Sequence, residues 1–332
     1  MRTETDRQTR VLGRSGIEVG ALGLGCWAIG GEWATPDGSP LGWGKVDDDE
    51  SVAAVRRALE LGVRFFDTAD VYGAGHSERV LGKALAGRWD EAVVATKWGN
   101  LFDERTRTMD GRDTSPAYAR AALQASLRRL GTDRIDLFQL HIGDTPSDEA
   151  AVLREACEGF VAEGLIGAYA WSTDDPERAA LFAEGEHCAA VQHACNVLED
   201  APRMLGLSEE RGLLSIIRSP LAMGLLAGRR EPGRRAEAGD IRSTPPEWLH
   251  WFEEGGVPSA HWARRVEAIR EVLTADGRTL AQGAIGWLWG RSARAVPIPG
   301  FRTVAQVEEN AAALTYGPLR PEQLEEIDGL LV

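Results

Sequence analysis

Eight short apolar runs, each followed by a stretch with helical periodicity, recur along these 332 residues, and that alternation restricts the fold more than any other feature. The runs lie at 21–26, 63–68, 92–97, 135–141, 165–171, 189–195, 213–218 and 295–299. Between them come DDDESVAAVRRALELG, HSERVLGKALAG, SPAYARAALQASLRRLG, SDEAAVLREACEGFVAEG and others, several opened by Asp or Ser and closed by Gly, as helices are. Alternating strands and helices make a parallel sheet, and eight such pairs predict an α/β fold, a (β/α)8 TIM barrel. Segments 11–13 and 16–19 flank an Arg-Ser turn and predict an N-terminal β-hairpin. No linker or low-complexity stretch divides the chain, so residues 1–332 are expected to form one domain.

Two connections exceed plain barrel loops: Ala28 to Val46, rich in Gly and Trp, and Leu221 to Pro258, with GRREPGRRAEAGD and STPPEW. Both are expected at the C-terminal face, where barrels carry specificity. A formal net charge of −14 argues against nucleic-acid or anionic-membrane partners, which need a basic face. Cys26, Cys157, Cys188 and Cys195 show no CxxC spacing, so reduced thiols in a cytoplasm are expected. The start MRTETDRQTR has no apolar core and no segment reaches about 18 consecutive apolar residues, so secretion and membrane insertion are not expected. The sequence does not indicate an oligomeric state.

Asp67, Tyr72, Lys97 and His141 lie at or just beyond the C-terminal ends of VRFFDT, AVVATK and IDLFQLH, where a barrel brings them together. The chain has only three lysines, Lys45, Lys83 and Lys97, yet one closes an otherwise apolar strand. A phenol, an ammonium, a carboxylate and an imidazole around one point form a proton-donating group. Lys97 is expected to lower the pKa of Tyr72, Asp67 to keep the desolvated lysine ionised, and neutral His141 to bond the oxygen that takes the proton. Trp98 directly follows Lys97, so Trp33 and Trp98 are expected to line the substrate pocket with Tyr72 and His141. Singly, each residue also has a structural explanation, such as a helix cap or an ion pair.

Gly23-x-Gly25-x-x-Ala28 matches a dinucleotide fingerprint, but the Gly- and Trp-rich segment after it does not open a helix as that motif requires. AVPIPGFRTVAQVEEN does run from strand through turn into helix. Its first N–H groups, with Arg302, form an expected phosphate seat.

From about Arg10 to Leu330 the chain resembles the aldo-keto reductase family, through LGRSGIEVGALGLGCWAIGG, FFDTADVYG, VVATKWG, DLFQLH, SPLAMGLLAG and IPGFRTVAQVEEN in that order. The resemblance implies a (β/α)8 barrel that reduces aldehyde or ketone carbonyls with NADPH, Tyr72 donating the proton and Asp67, Lys97 and His141 supporting it. It places Gly25, Cys26, Trp27 and Asp67 beside the cofactor, Ser172, Thr173 and Gln192 on the carboxamide, and Arg218 at the ring. It also implies Ser219, Pro220, Leu221 and Met223 over the pyrophosphate, and Gly300, Arg302, Gln306, Glu309 and Asn310 around the adenosine. The sequence departs from the family at Thr173, where Asn is usual, and at Arg218, where an aromatic is usual. Gly300 and Gln306 stand where some members have Lys and Arg, so preference for NADPH rests on Arg302, with NADH as second choice.

Two other readings compete. One is a reductase-like regulatory subunit that binds NADPH and turns over poorly, against which the full quartet argues. The other is a metal-dependent hydrolase using His141, Asp67 and Asp70, for which no second strand-end histidine is present. No metal is expected.

Overall fold

The structure, a computed structural model, describes residues 9–228 and 235–331. Most of the polar N-terminal decapeptide, part of the arginine-rich stretch after Gly228, and Val332 lie outside the described residues.

The expected strands form at Gly23–Gly25 (β1), Phe65–Asp67 (β2), Val93–Trp98 (β3), Ile135–Leu140 (β4), Ile166–Ser172 (β5), Cys188–Ala194 (β6), Leu214–Arg218 (β7) and Ala295–Pro297 (β8). They pair in parallel in chain order as one eight-stranded sheet. A parallel bridge between Gly25 and Gly300 and the bond from Gly25 N to Pro299 O at 3.0 Å close it into a barrel. Closure needs a bare backbone there, because a Cβ on Gly25 would lie 2.8 Å from Ile298 O.

Ten α-helices are described: α1 Asp48–Glu60, α2 His76–Leu85, α3 Pro116–Leu130, α4 Ser147–Ala162, α5 Pro176–Phe182, α6 Pro202–Arg211, α7 Ala260–Leu273, α8 Leu280–Arg291, α9 Val304–Tyr316 and α10 Pro321–Leu330. Their ends follow from local chemistry. Asp47 accepts from Asp49 N and Glu50 N to start α1, whose acidic first turn also suits the helix dipole. Ser115 caps α3, which has Pro in its first turn and ends at left-handed Gly131.

Strand alternation sorts the side chains into two layers. Phe65, Ala95, Leu137, Ala168, Ala190, Leu214, Ile216 and Val296 fill the barrel. Phe66, Val94, Trp98 and Phe138 face the other way, into the core shared with the helices. The expected hairpin pairs Thr9–Val11 with Glu18–Gly20. Its Leu12 and Val19 join the barrel-interior cluster, so it closes the N-terminal end of the barrel. Burial of such a side chain contributes about 1.5 to 3 kcal/mol.

The described parts of the two long connections are held at the C-terminal face by contacts the sequence did not indicate. Met109 N donates to Ala34 O at 2.9 Å, Gly44 N to Gly239 O at 3.0 Å and Ile241 N to Gly42 O at 2.8 Å. The first of these involves a third elaboration absent from the sequence reading, a hairpin pairing Asn100–Asp103 with Thr108–Arg112. Among the described residues no helix is long and apolar enough to cross a membrane. None of their His, Cys, Asp and Glu side chains gather in threes as a metal site needs.

Candidate active site

Lys97 is fully buried inside the barrel, and its ammonium group has three acceptors for its three protons. It donates to Asp67 Oδ1, to Thr68 O at 3.0 Å and to Tyr72 OH at 3.2 Å. The other oxygen of Asp67 accepts from Gln139 Nε2 at 2.8 Å and Gln192 Nε2 at 2.7 Å. Gln139 was missed by the sequence reading. Its signal was a polar residue two positions before His141, on a strand face otherwise made of Ile135 and Leu137.

Tyr72 lies on the turn between β2 and α2, held by two close backbone approaches. A Cβ on Gly30 would lie 2.9 Å from the Tyr72 carbonyl carbon, and one on Gly73 only 2.0 Å from Gly30 O. Gly73 also has a φ of +61°, so glycine is required there twice over. Behind it, Ser77 donates to Cys26 O at 2.7 Å and therefore accepts from Thr68 Oγ1 at 2.8 Å, tying the turn to β1 and β2.

The electrostatics differ from expectation at Tyr72. Burial raises its pKa above the usual tyrosine value, and the Lys97 charge opposes that rise without cancelling it. The phenol is therefore protonated at neutral pH. Burial alone would depress Lys97, but Asp67 and Tyr72 hold its pKa above the usual lysine value. His141 is pushed well below the usual histidine range, first by burial and then by the charges of Lys97 and Arg218, so its ring is neutral. That ring meets the Tyr72 ring edge-on at a centroid distance of 5.8 Å, and its Nδ1 is buried without a partner.

Trp98 does not line a pocket. Lys97 points into the barrel, so the pleat sends Trp98 outward, where it is fully buried and stacked on Phe138 at 5.7 Å. Trp98→Phe should cost about 1 to 3 kcal/mol of stability without changing KM selectively for aromatic substrates, measured by denaturant unfolding beside a substrate series. Trp33 is also largely packed, in a small cluster with Ala69 and Val71 beneath Tyr72. The aromatic wall at Tyr72 comes from Trp27, stacked on it at 5.9 Å, with Trp43 at 5.6 Å and Trp248 at 6.4 Å from Trp27. Trp248, 52% exposed on the last long connection, brings that loop to the barrel mouth.

The residues expected around a cofactor spread from the mouth to α9. Gly25 and Gly300 lie side by side, and a Cβ on Gly300 would meet nothing nearer than Gly25 O at 3.9 Å, leaving an open edge. Cys26 is buried, and burial pushes its thiol pKa up. Ser172 and Thr173 follow one another at the end of β5, and the Thr173 hydroxyl donates to Gly143 O at 2.9 Å. The Gln192 amide nitrogen braces Asp67, a role the sequence did not suggest. Arg218 is paired with Asp174.

Next comes the loop of Ser219, Pro220, Leu221, Ala222 and Met223, where φ is +55° at Ser219, +45° at Ala222 and +52° at Met223. Three left-handed non-glycine residues within five cost of order 1 to 3 kcal/mol each, and such strain gathers at ligand-holding loops.

The expected phosphate seat is partly filled. Arg302 N donates to Gln306 Oε1 at 2.7 Å, Val304 N donates to Glu50 Oε1 at 2.8 Å, and the Arg302 guanidinium donates to Lys45 O. Asn310 is buried nearby, and Glu309 O accepts from Gln282. The open edge at Gly25 and Gly300 leaves room for an extended ligand such as a dinucleotide, and the Arg302 guanidinium, bonded to Lys45 O, lies on the loop that follows it.

Residues 21–332 match the aldo/keto reductase family. The chain is 28% identical over 316 residues to the uncharacterized oxidoreductase YqkF of Bacillus subtilis, covering 95% of this chain and 94% of that one. It resembles the structure of the glycerol dehydrogenase AKR11B4 from Gluconobacter oxydans with a TM-score of 0.79 and 29% identity, covering 98% of this chain and 95% of that one. An aldo/keto reductase from Klebsiella pneumoniae in complex with NADP and acetate gives a TM-score of 0.69 and 27% identity, over 98% of this chain and 95% of that one. With a family match over nearly its whole length, and a barrel mouth that gathers Asp67, Tyr72, Lys97 and His141, this chain belongs to the aldo-keto reductase family.

Proposed function

We propose that this protein reduces aldehyde and ketone carbonyls to alcohols, with NADPH as hydride donor and Tyr72 as proton donor. The observation that carries the reading is the buried line of Asp67, Lys97 and Tyr72. An ammonium group donates and cannot accept, so the Tyr72 proton must point away from Lys97. It is then free for a substrate oxygen. Bound NADPH would supply a hydride to the carbonyl carbon; the C=O π pair moves to oxygen, which takes the Tyr72 proton, leaving an alcohol and NADP⁺.

A raised phenol pKa suits this direction, because the donor is fully protonated at neutral pH and the forming alkoxide is a much stronger base than a phenolate. Lys97 stabilises the phenolate that remains, and Asp67 keeps Lys97 charged. His141, being neutral, retains an N–H to donate to the substrate oxygen and orient it. Trp27, Trp43 and Trp248 form an apolar wall for the rest of the substrate. Ser172, Thr173, the Ser219–Met223 loop and Arg302 would hold the cofactor.

Nicotinamide-fluorescence titration, followed by NADPH consumption on a panel of aldehydes without added metal, tests the reading. Binding without turnover would favour a regulatory subunit, and no binding would overturn the proposal.

Cofactor choice has its own expected result. Arg302→Ala should weaken NADPH about ten- to hundredfold and leave NADH nearly unchanged, since a lost hydrogen bond to a charged group costs about 1.5 to 3 kcal/mol. Titrations with both cofactors check this. Equal losses would place Arg302 on a part of the site common to both, or on its Lys45 contact alone.

A further inference from the structure

Arg218 ends β7 at the barrel mouth, and its guanidinium bonds Asp174, which follows Thr173 beyond β5. Asp174 is itself fixed, because its other oxygen accepts from Ala194 N at 2.7 Å. Ala194 is the register partner of Arg218 across the β6–β7 pairing, so the ion pair is anchored on strand ends. Leu214 and Ile216 face into the barrel, so Arg218, two residues further along β7, shares that inward face and its guanidinium stands over the mouth, where its positive charge works to lower the pKa of Tyr72 and His141. Arg218 is the less exposed of the pair, at 37% against 55% for Asp174, so the guanidinium is the member set further into the mouth.

With NADPH as the cofactor, the reading on which the inference rests, the nicotinamide ring is bracketed. Its carboxamide would be held beside Ser172 and Thr173, next in the chain to Asp174, and its reactive carbon must face the substrate at Tyr72. A ring between those limits lies within the field of Arg218. That ring is neutral when reduced and carries one positive charge once the hydride has left. A fixed cation nearby disfavours the charged form and leaves the neutral one nearly unaffected.

We propose that Arg218 discriminates between the two redox states of the cofactor, weakening NADP⁺ relative to NADPH and so biasing the protein towards carbonyl reduction and release of the oxidised product. Asp174 limits the effect by neutralising part of the guanidinium charge. NADP⁺ and NADPH differ by one hydride and share every other group. The ratio of their dissociation constants therefore isolates what the ring's charge feels, and Lys97 contributes equally in every variant compared.

The test is a pair of fluorescence and calorimetric titrations, NADPH and NADP⁺, on the full chain and on Arg218→Met, Arg218→Lys and Asp174→Asn. Wild type should bind NADPH more tightly. Arg218→Met should shrink the ratio about tenfold through NADP⁺. Arg218→Lys, keeping the charge, should preserve most of it. Asp174→Asn should widen the ratio by unmasking the cation. If both forms bind and the ratio is the same in wild type and Arg218→Met, the inference is wrong. Should Arg218→Met fail to fold, an unchanged ratio in Asp174→Asn overturns it equally. If neither form binds wild type, the cofactor reading fails, and the inference with it.

Discussion

Tyr72→Phe should abolish carbonyl reduction, lowering kcat by about 10²- to 10⁴-fold, while NADPH binding stays within about twofold of wild type. The substitution removes one hydroxyl from a ring that remains stacked on Trp27 and edge-on to His141, so the aromatic packing survives. What is lost is the proton and one acceptor for Lys97, whose bonds to Asp67 and Thr68 O persist. Single-turnover rates with several aldehydes, beside a cofactor titration, check the result. More than about half the wild-type kcat on those substrates would remove Tyr72 from the chemistry.

Lys97→Met is expected to act on both stability and catalysis. It leaves the Asp67 carboxylate buried, with two glutamine amides on one oxygen and its former cation gone from the other. Removing one partner of a buried ion pair costs about 3 to 5 kcal/mol, measurable by denaturant unfolding. In the proposed mechanism the phenolate left on Tyr72 also loses a charged donor, a loss of about 1.5 to 3 kcal/mol, or roughly ten- to hundredfold in kcat.

The sign of the pH effect follows from Tyr72. If the proposed mechanism runs in reverse, as alcohol oxidation, the Tyr72 phenolate is the base, so the rate should climb as pH rises towards the Tyr72 pKa, which already lies above the usual value. Lys97 is the largest influence lowering that pKa, so its removal moves the rising limb further to alkaline pH. A limb that does not move would show that Lys97 does not tune the phenol.

The barrel itself was legible because its signals are local. Apolar runs, helix caps such as Asp47 and Ser115, and stop signals such as Gly131 each act within a few residues, and all eight strands fall within about two residues of their expected bounds. The four polar residues at or beyond strand ends were legible for the same reason, since parallel strands around a barrel bring their C-terminal ends to one mouth. Trp98 was misjudged although its signal was present: the period of two that turns Lys97 inward turns its neighbour outward. Gln139 could have been found by the same count.

Other features were settled by contacts between distant parts of the chain. Gln192 reaches Asp67 across 125 residues, Glu50 meets Val304 across 254, and Ala34 joins a hairpin whose sequence gives no clear alternation. Burial, which only the folded packing defines, outweighs Lys97 at Tyr72 and sets the direction of its pKa. The sequence by itself determined the strand and helix order, the barrel, and which polar groups come to its mouth, because backbone periodicity and capping are short-range. The tertiary structure decided which tryptophans pack at Tyr72, how Asp67 is braced and how Arg218 is tethered, because desolvation and long-range hydrogen bonds exist only once the elements have packed.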